Sequence, residues 1–254
     1  MNVLSIANQK GGVSKTTTTQ ALAALLNRGG KKTLSIDLDP QGNLSFAMGA
    51  DLNNSPTMYN MLKGELRAEH ILQRTESGDI LPANILLSGA DTEFTSTGRE
   101  YILKESIQGI VKKYEYVIID CPPSLSVLTI NAFVASDYVI VPSIADVFSL
   151  QGMAQLNNTI QSVRKYCNPG LKVAGILLTR FNQRTNLSSH IRNLLDNATK
   201  SMDTVLFNTF IRNSVTIQET QYHRENMIGY DGKSNAMSDY SNFLTELEGV
   251  INGN

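Results

Sequence analysis

Two stretches of this chain, Tyr116-Val-Ile-Ile and Tyr138-Val-Ile-Val, are apolar at every position. A strand with one face in water alternates polar and apolar residues. Unbroken runs belong instead to strands buried on both faces, as in a parallel sheet sandwiched between helices. The β-rich runs are Asn2–Ala7, Lys32–Leu38, Asn84–Ser88, Glu115–Asp120, Tyr138–Pro142, Lys172–Thr179 and Thr204–Asn208. Helical patterns fall between or after them at 15–28, 91–113, 124–135, 149–166, 186–200 and 236–251. In the stretch 186–200, Leu187, Ile191, Leu194 and Leu195 share one face, as a sheet-packing helix requires. The alternation predicts an α/β fold, a mostly parallel sheet flanked by helices on both faces. No linker or repeat interrupts it, so a single domain over 1–254 is expected. Residues 49–82 read as an excursion from the core, and residues 210–235 as polar and loop-rich.

Composition removes several function classes. With 41% hydrophobic and 18% charged residues the chain can bury a sizeable core. Lys and Arg number 22 against 23 Asp and Glu, which excludes a globally basic nucleic-acid binder but not a local basic face. Cys121 and Cys167 cannot build a disulfide framework, and His70, His190 and His223 lack zinc spacing. No basic-then-apolar leader opens the chain, and no apolar run approaches ~18 residues. A soluble cytoplasmic protein is expected.

The first strand runs into Asn8-Gln-Lys-Gly-Gly-Val-Ser-Lys-Thr-Thr17 and then the apolar-periodic Ala21-Leu-Ala-Ala-Leu-Leu26. A strand, a glycine-containing turn and a helix N-terminus make an anion site, because backbone N–H groups and the helix dipole favour phosphate there. Lys15 would sit on the β- and γ-phosphates and the Thr16 hydroxyl on Mg²⁺. The ordinary pattern GxxxxGK[ST] is broken at both glycines, where Gln9 and Ser14 stand. Two further strands end in Asp37-Leu-Asp-Pro-Gln-Gly-Asn43 and Asp120-Cys-Pro-Pro-Ser124. They place carboxylates at strand carboxyl ends, where open α/β sheets bind ligands. One such aspartate can hold Mg²⁺ through water, and another can orient an attacking water.

These segments resemble the ParA-type partition ATPases of the deviant Walker A group, which includes MinD. So do Leu177-Leu-Thr-Arg-Phe181, Arg184-Thr-Asn-Leu187 and Tyr230-Asp-Gly-Lys-Ser234, and the resemblance spans essentially the whole chain. It implies ATP or ADP held with Mg²⁺ by Lys10, Gly11, Gly12, Val13, Ser14, Lys15, Thr16 and Thr17, joined by Arg180, Ile211 and Arg212. It further implies an ATP-dependent sandwich homodimer in which Lys10 reaches the partner's phosphates. Lys10, Lys15 and Asp39 would be catalytic, Asp39 by supporting water activation. Thr16 and Asp120 would hold the metal, Asp120 through water, with Asp37 behind them. Arg184 would bind DNA without sequence preference, joined by Arg192 on the charge pattern of residues 147–195, and a ParB-like adaptor or other centromere-binding protein would stimulate hydrolysis. The ATP-bound form would be nucleoid-associated.

Three departures from the family matter. Serine replaces the usual glycine at position 14, and a serine forced to positive φ costs on the order of 1–2 kcal/mol. The usual Ile-Pro-Arg-Asn-Val-Arg loop is here Ile211-Arg-Asn-Ser-Val-Thr216, so a proline and an arginine are missing. The chain begins at its first strand, so operon self-repression by an N-terminal helix-turn-helix domain is not expected. Charge is also segregated. From Val147 to Leu195 there is no acid, while Arg164, Lys165, Lys172, Arg180, Arg184 and Arg192 are all present. Such a stretch suits non-specific, salt-sensitive phosphate binding.

Two alternatives remain: a membrane-associated MinD-like positioning ATPase, and a nucleotide-gated binding protein with little turnover because of Ser14. The C-terminal stretch Ser241–Ile251 argues against membrane. It carries Glu246 and Glu248 and no Lys or Arg, so it is expected to pack against the domain. Two isolated cysteines outside any cluster motif argue against the iron–sulfur reductases that share this fold.

Overall fold

The computed structural model describes residues 1–146, 148–181, 195, 199–214, 219, 220, 222–224, 227, 229, 232 and 234–253. The chain opens with β1 (Asn2–Ile6), α1 (Lys15–Arg28), β2 (Thr33–Asp37) and the short helices α2 (Asn43–Ala47), α3 (Met58–Leu62) and α4 (Ala68–Ile71). There follow β3 (Gln73–Thr75), β4 (Gly78–Leu81), α5 (Ala90–Glu93), α6 (Ile102–Val111), β5 (Tyr116–Asp120), α7 (Val127–Ala135) and β6 (Tyr138–Ser143). The remaining elements are α8 (Phe148–Tyr166), β7 (Lys172–Leu178), β8 (Leu206–Phe210) and α9 (Asn235–Asn252).

The strands form one sheet in the order β3-β4-β2-β5-β1-β6-β7-β8. Every pairing is parallel except β3 with β4. All five residues of β5 are buried, as are Val139, Ile140 and Val141 of β6, as their unbroken apolar runs predict. One face packs Leu103, Ile107, Phe133, Leu156 and Ile160 from α6, α7 and α8. The other packs Leu22 and Leu26 of α1 with Tyr240, Phe243 and Leu247 of α9.

The C-terminal helix is tied down by its acids. The Glu246 carboxylate accepts from the Asn208 and Thr209 amides at 2.7 and 2.9 Å, and Glu248 pairs with Lys31. Its apolar face lies in the core, as expected. Among the described residues no helix is long and apolar enough to cross a membrane.

Several expectations are corrected. Residues 49–82 are no excursion: they supply β3 and β4 and place Met58, Met61, Leu62, Ala68 and Ile71 in the core. Asn84–Ser88 is not a strand. Asn84 accepts a hydrogen bond from the Leu86 amide and starts a 3₁₀ turn over Ile85–Gly89, leaving Ile85 and Leu86 exposed. The strand lies just upstream, where Ile80 and Leu81 are buried beside β2. The helix expected over 91–113 is divided by Gly98 at φ 83. The helix expected from residue 124 begins at Val127, and the last strand sits two residues later than read. The helix expected over 186–200 lies mostly outside the described residues.

Candidate functional site

Order along the sheet sets the site. β1 lies between β5 and β6, and β5 connects it to β2. The carboxyl ends of β1, β2 and β5 are therefore adjacent, and in register Asp37 faces Asp120 across the β2–β5 pair. The loop 8–14 rises from the end of β1 between them. Asn8 anchors it: its side-chain amide donates to the Pro142 carbonyl at 2.7 Å, and its oxygen accepts the Lys10 amide at 3.0 Å. The Thr179 hydroxyl at the end of β7 donates to the Val13 carbonyl at 3.1 Å.

The start of α1 is open to an anion. Ser14 takes the N-cap position without a side-chain cap bond, and no acid occupies the first turn. The first helical amides lack intrahelical partners, so a phosphate there is favoured. Gly12 turns the loop at φ 74, and a Cβ on it would meet nothing within 4 Å. Ser14 adopts the left-handed conformation too, φ 66 and ψ 31, so the strain expected from the missing glycine is present.

Around the loop lies a cleft of about 530 Å³. Gly11, Gly12, Ser14, Lys15, Thr16 and Thr17 line one side, and Asp39, Gln41, Asn43, Phe46 and Ala47 another. Pro123, Arg180 and Tyr222 complete it. Lys15 is buried, its ammonium donating to the Lys10 carbonyl at 3.2 Å. Burial lowers its pKa, and the charges of Asp120 and Asp39 oppose that. The Thr16 hydroxyl donates to Asp120 Oδ2 at 2.7 Å. Asp120 is fully buried, and burial, reinforced by the charge of Asp37, pushes its pKa well above the usual carboxylate value.

Asp37 is engaged on both oxygens. Oδ2 accepts from the Ser45 amide at 2.8 Å and hydroxyl at 2.7 Å, and Oδ1 from the Asp39 amide at 3.0 Å. Burial still raises its pKa to about 6, against those hydrogen bonds. Asp37 therefore shapes the turn that presents Asp39. Asp120 thus feels two neighbouring carboxylates, Asp37 and Asp39, against the one ammonium of Lys15, an imbalance that a cation would relieve.

A magnesium ion fits this arrangement. Asp120 Oδ1 is buried with no hydrogen-bond partner, and Thr16 lies beside it. Among the described residues no group of His, Cys, Asp and Glu makes an all-protein metal cage. Mg²⁺ is ordinarily held by one or two protein oxygens together with substrate phosphates, so none is needed.

Not every expected residue reaches the cleft. Ile211 is buried in the core beneath α9, and the Arg212 guanidinium is bound to Asp239, donating at 2.9 and 2.7 Å. Lys10 is directed to Asp146, with which it forms an ion pair. Arg184 and Arg192 lie outside the described residues. Conversely, Phe46 and Tyr222 line the cleft without having been singled out. Gln41, Asn43 and Pro123 belonged to quoted motifs whose aspartates alone drew attention.

Residues 1–173 match the AAA domain family. Over 96% of its length the chain is 37% identical to the sporulation initiation inhibitor protein Soj of Bacillus subtilis, covering 97% of that protein. It is 36% identical over the same share to the chromosome partitioning protein ParA of Myxococcus xanthus, covering 87% of it. The chain belongs to the ParA/Soj family of partition ATPases. Among solved structures, a Mycobacterium smegmatis protein named cobyrinic acid a,c-diamide synthase, with bound ADP and magnesium, is 35% identical. It superimposes with a TM-score of 0.81, covering 100% of this chain and 96% of that one. The fold is thus that of the ParA/MinD-type P-loop NTPases. ATP hydrolysis and binding of nucleotide with Mg²⁺ are properties of the family.

Proposed function

We propose that this chain is a DNA-segregation ATPase of plasmid or chromosome partition. It dimerises on ATP, binds DNA without sequence preference and is released on hydrolysis stimulated by a ParB-like adaptor. The observation that carries the ATPase reading is the Thr16–Asp120 hydrogen bond beside buried Lys15, in a cleft that Asp39 also lines. Lys15 and the first amides of α1 bind the β- and γ-phosphates, and Thr16 and Asp120 hold the metal. Bound Mg²⁺ supplies charge neutralisation of the phosphates. Asp39 orients the water that attacks the γ-phosphorus, giving ADP and inorganic phosphate. Lys10 leaves Asp146 and completes the partner's site.

The acid-free stretch containing Arg184 and Arg192 supports the DNA reading through its charge. A membrane role is disfavoured because α9 buries its apolar face and carries acids. A synthase reading, after the name of the M. smegmatis protein, would use the same nucleotide site; the Soj and ParA relatives favour partition.

Phosphate release from Mg–ATP tests the proposal, comparing wild type with Lys15→Ala, with and without unrelated DNA duplexes and an adaptor encoded beside the gene. Release that is abolished in Lys15→Ala and raised by both additions is expected. Release no greater than that of Lys15→Ala overturns the ATPase reading, and indifference to DNA overturns the partition reading.

A further inference from the structure

Arg224 stands in the left-handed region at φ 58. A non-glycine residue there costs roughly 1–2 kcal/mol and persists only where its surroundings hold it. Here the guanidinium does the holding. Nε donates to the Phe46 carbonyl at 3.1 Å and a terminal nitrogen to the Ala50 carbonyl at 2.8 Å. Its carbon lies 4.9 Å from the centre of the Phe46 ring, a cation–π contact.

These contacts close the far end of α2. A helix of five residues cannot stand alone, since nucleation is unfavourable, and the Met48, Gly49 and Ala50 amides that close its last turn leave it one turn long. Asp37 grips its front through Ser45, and the Gln20 side chain donates to the Ala47 carbonyl at 3.2 Å. Arg224 adds a second donor to the Phe46 carbonyl, which already accepts the Gly49 amide, and one to the Ala50 carbonyl, both from a segment more than 170 residues away. The turn from Asp39 to Gly42 leads directly into α2, the Gly42 amide donating to the Asp39 carbonyl at 2.9 Å. Phe46 and Ala47 of α2 line the cleft, and so does Tyr222, two residues before Arg224. One side chain therefore joins two walls of the cleft.

We propose that Arg224 is a positioning residue for ATP hydrolysis. It fixes α2 against the 222–224 segment and so sets the placement of Asp39 relative to bound nucleotide. Its hydrogen bonds and ring contact go to Phe46 and Ala50, and it acts through α2. Its effect falls on turnover more than on binding. The inference rests on the ATPase reading above.

Arg224→Gly removes the guanidinium while suiting φ 58, so relief of strain opposes the lost contacts in folding. Arg224→Lys keeps the charge but cannot span both carbonyls and the ring with one fork. Steady-state turnover and KM for Mg–ATP, ADP affinity and binding stoichiometry by calorimetry, and thermal midpoints are measured on the full chain. Turnover per nucleotide-binding site about tenfold or more below wild type is expected in Arg224→Gly, with ADP affinity within about threefold. Arg224→Lys is expected to recover little of it. Turnover per binding site equal to wild type in Arg224→Gly overturns the proposal. So does a decline that only tracks a lower stoichiometry of nucleotide binding, because that is loss of fold. Wild-type turnover no greater than that of Lys15→Ala would instead remove the ATPase reading on which the proposal rests.

Discussion

Lys10, in the loop after β1, is ion-paired to Asp146, in the loop after β6, with each side chain 30% exposed. The loop after β1 is also tied to the end of β6 itself by the Asn8 bond to the Pro142 carbonyl. If Lys10 serves a partner's phosphates, its pairing with Asp146 opposes dimerisation. A half-exposed pair of this kind contributes on the order of 0.2–1 kcal/mol. Asp146→Asn is therefore expected to lower the ATP concentration for half-maximal dimerisation by up to about fivefold, read by light scattering. An unchanged midpoint would show that the pair does not compete.

Ser14 carries a backbone cost of roughly 1–2 kcal/mol in the folded loop, partly matched in a glycine variant by the entropy of its unfolded chain. Ser14→Gly is expected to raise the thermal midpoint, by about 2–4 °C if the net gain is near 1 kcal/mol. Ser14→Val should fall below wild type, since a β-branched residue suits positive φ least. A glycine variant no more stable than wild type would mean that the loop accommodates serine without strain.

Asp39 lines the cleft, its Oδ1 accepting the Gln41 amide at 3.0 Å. Asp39→Ala is expected to reduce turnover by about a hundredfold or more, the scale of lost acid–base assistance. ATP affinity should change by only a few-fold. Single-turnover hydrolysis and nucleotide titration separate the two. Unimpaired hydrolysis would assign water activation elsewhere.

For DNA, Arg184→Glu is expected to weaken binding equally across unrelated duplexes and to reduce the slope of log affinity against log salt. Fluorescence anisotropy at several salt concentrations measures both. Full binding at physiological salt would remove the acid-free stretch from the interface.

The site was legible where its chemistry is local. The phosphate-binding motif, loop and first helical turn together, occupies ten consecutive residues, Asn8–Thr17, and the helix expected over 15–28 is observed as Lys15–Arg28. Strands β5 and β6 were legible because burial on both faces leaves an unbroken apolar run, and β1, β2 and β7 because short β-rich runs alternate with helical patterns. β4 was not, since its four residues begin Gly-Asp and gain their strand character from lying beside β2. Asn84 turned an apolar run into a 3₁₀ start, a capping effect that overrode β propensity. The pairs Lys10–Asp146, Arg212–Asp239 and Arg224–Phe46 join distant segments, so nothing in the local pattern announces them.

The switch itself is tested most directly by sedimentation velocity of wild type and Lys10→Ala with Mg²⁺ and either ADP or a non-hydrolysable ATP analogue. Wild type is expected to shift from a 27.9 kDa monomer to a dimer with the ATP analogue and not with ADP. Lys10→Ala should bind ADP and remain a monomer with either. A wild type that stays monomeric at saturating analogue, or a Lys10→Ala protein that dimerises as wild type does, would contradict it.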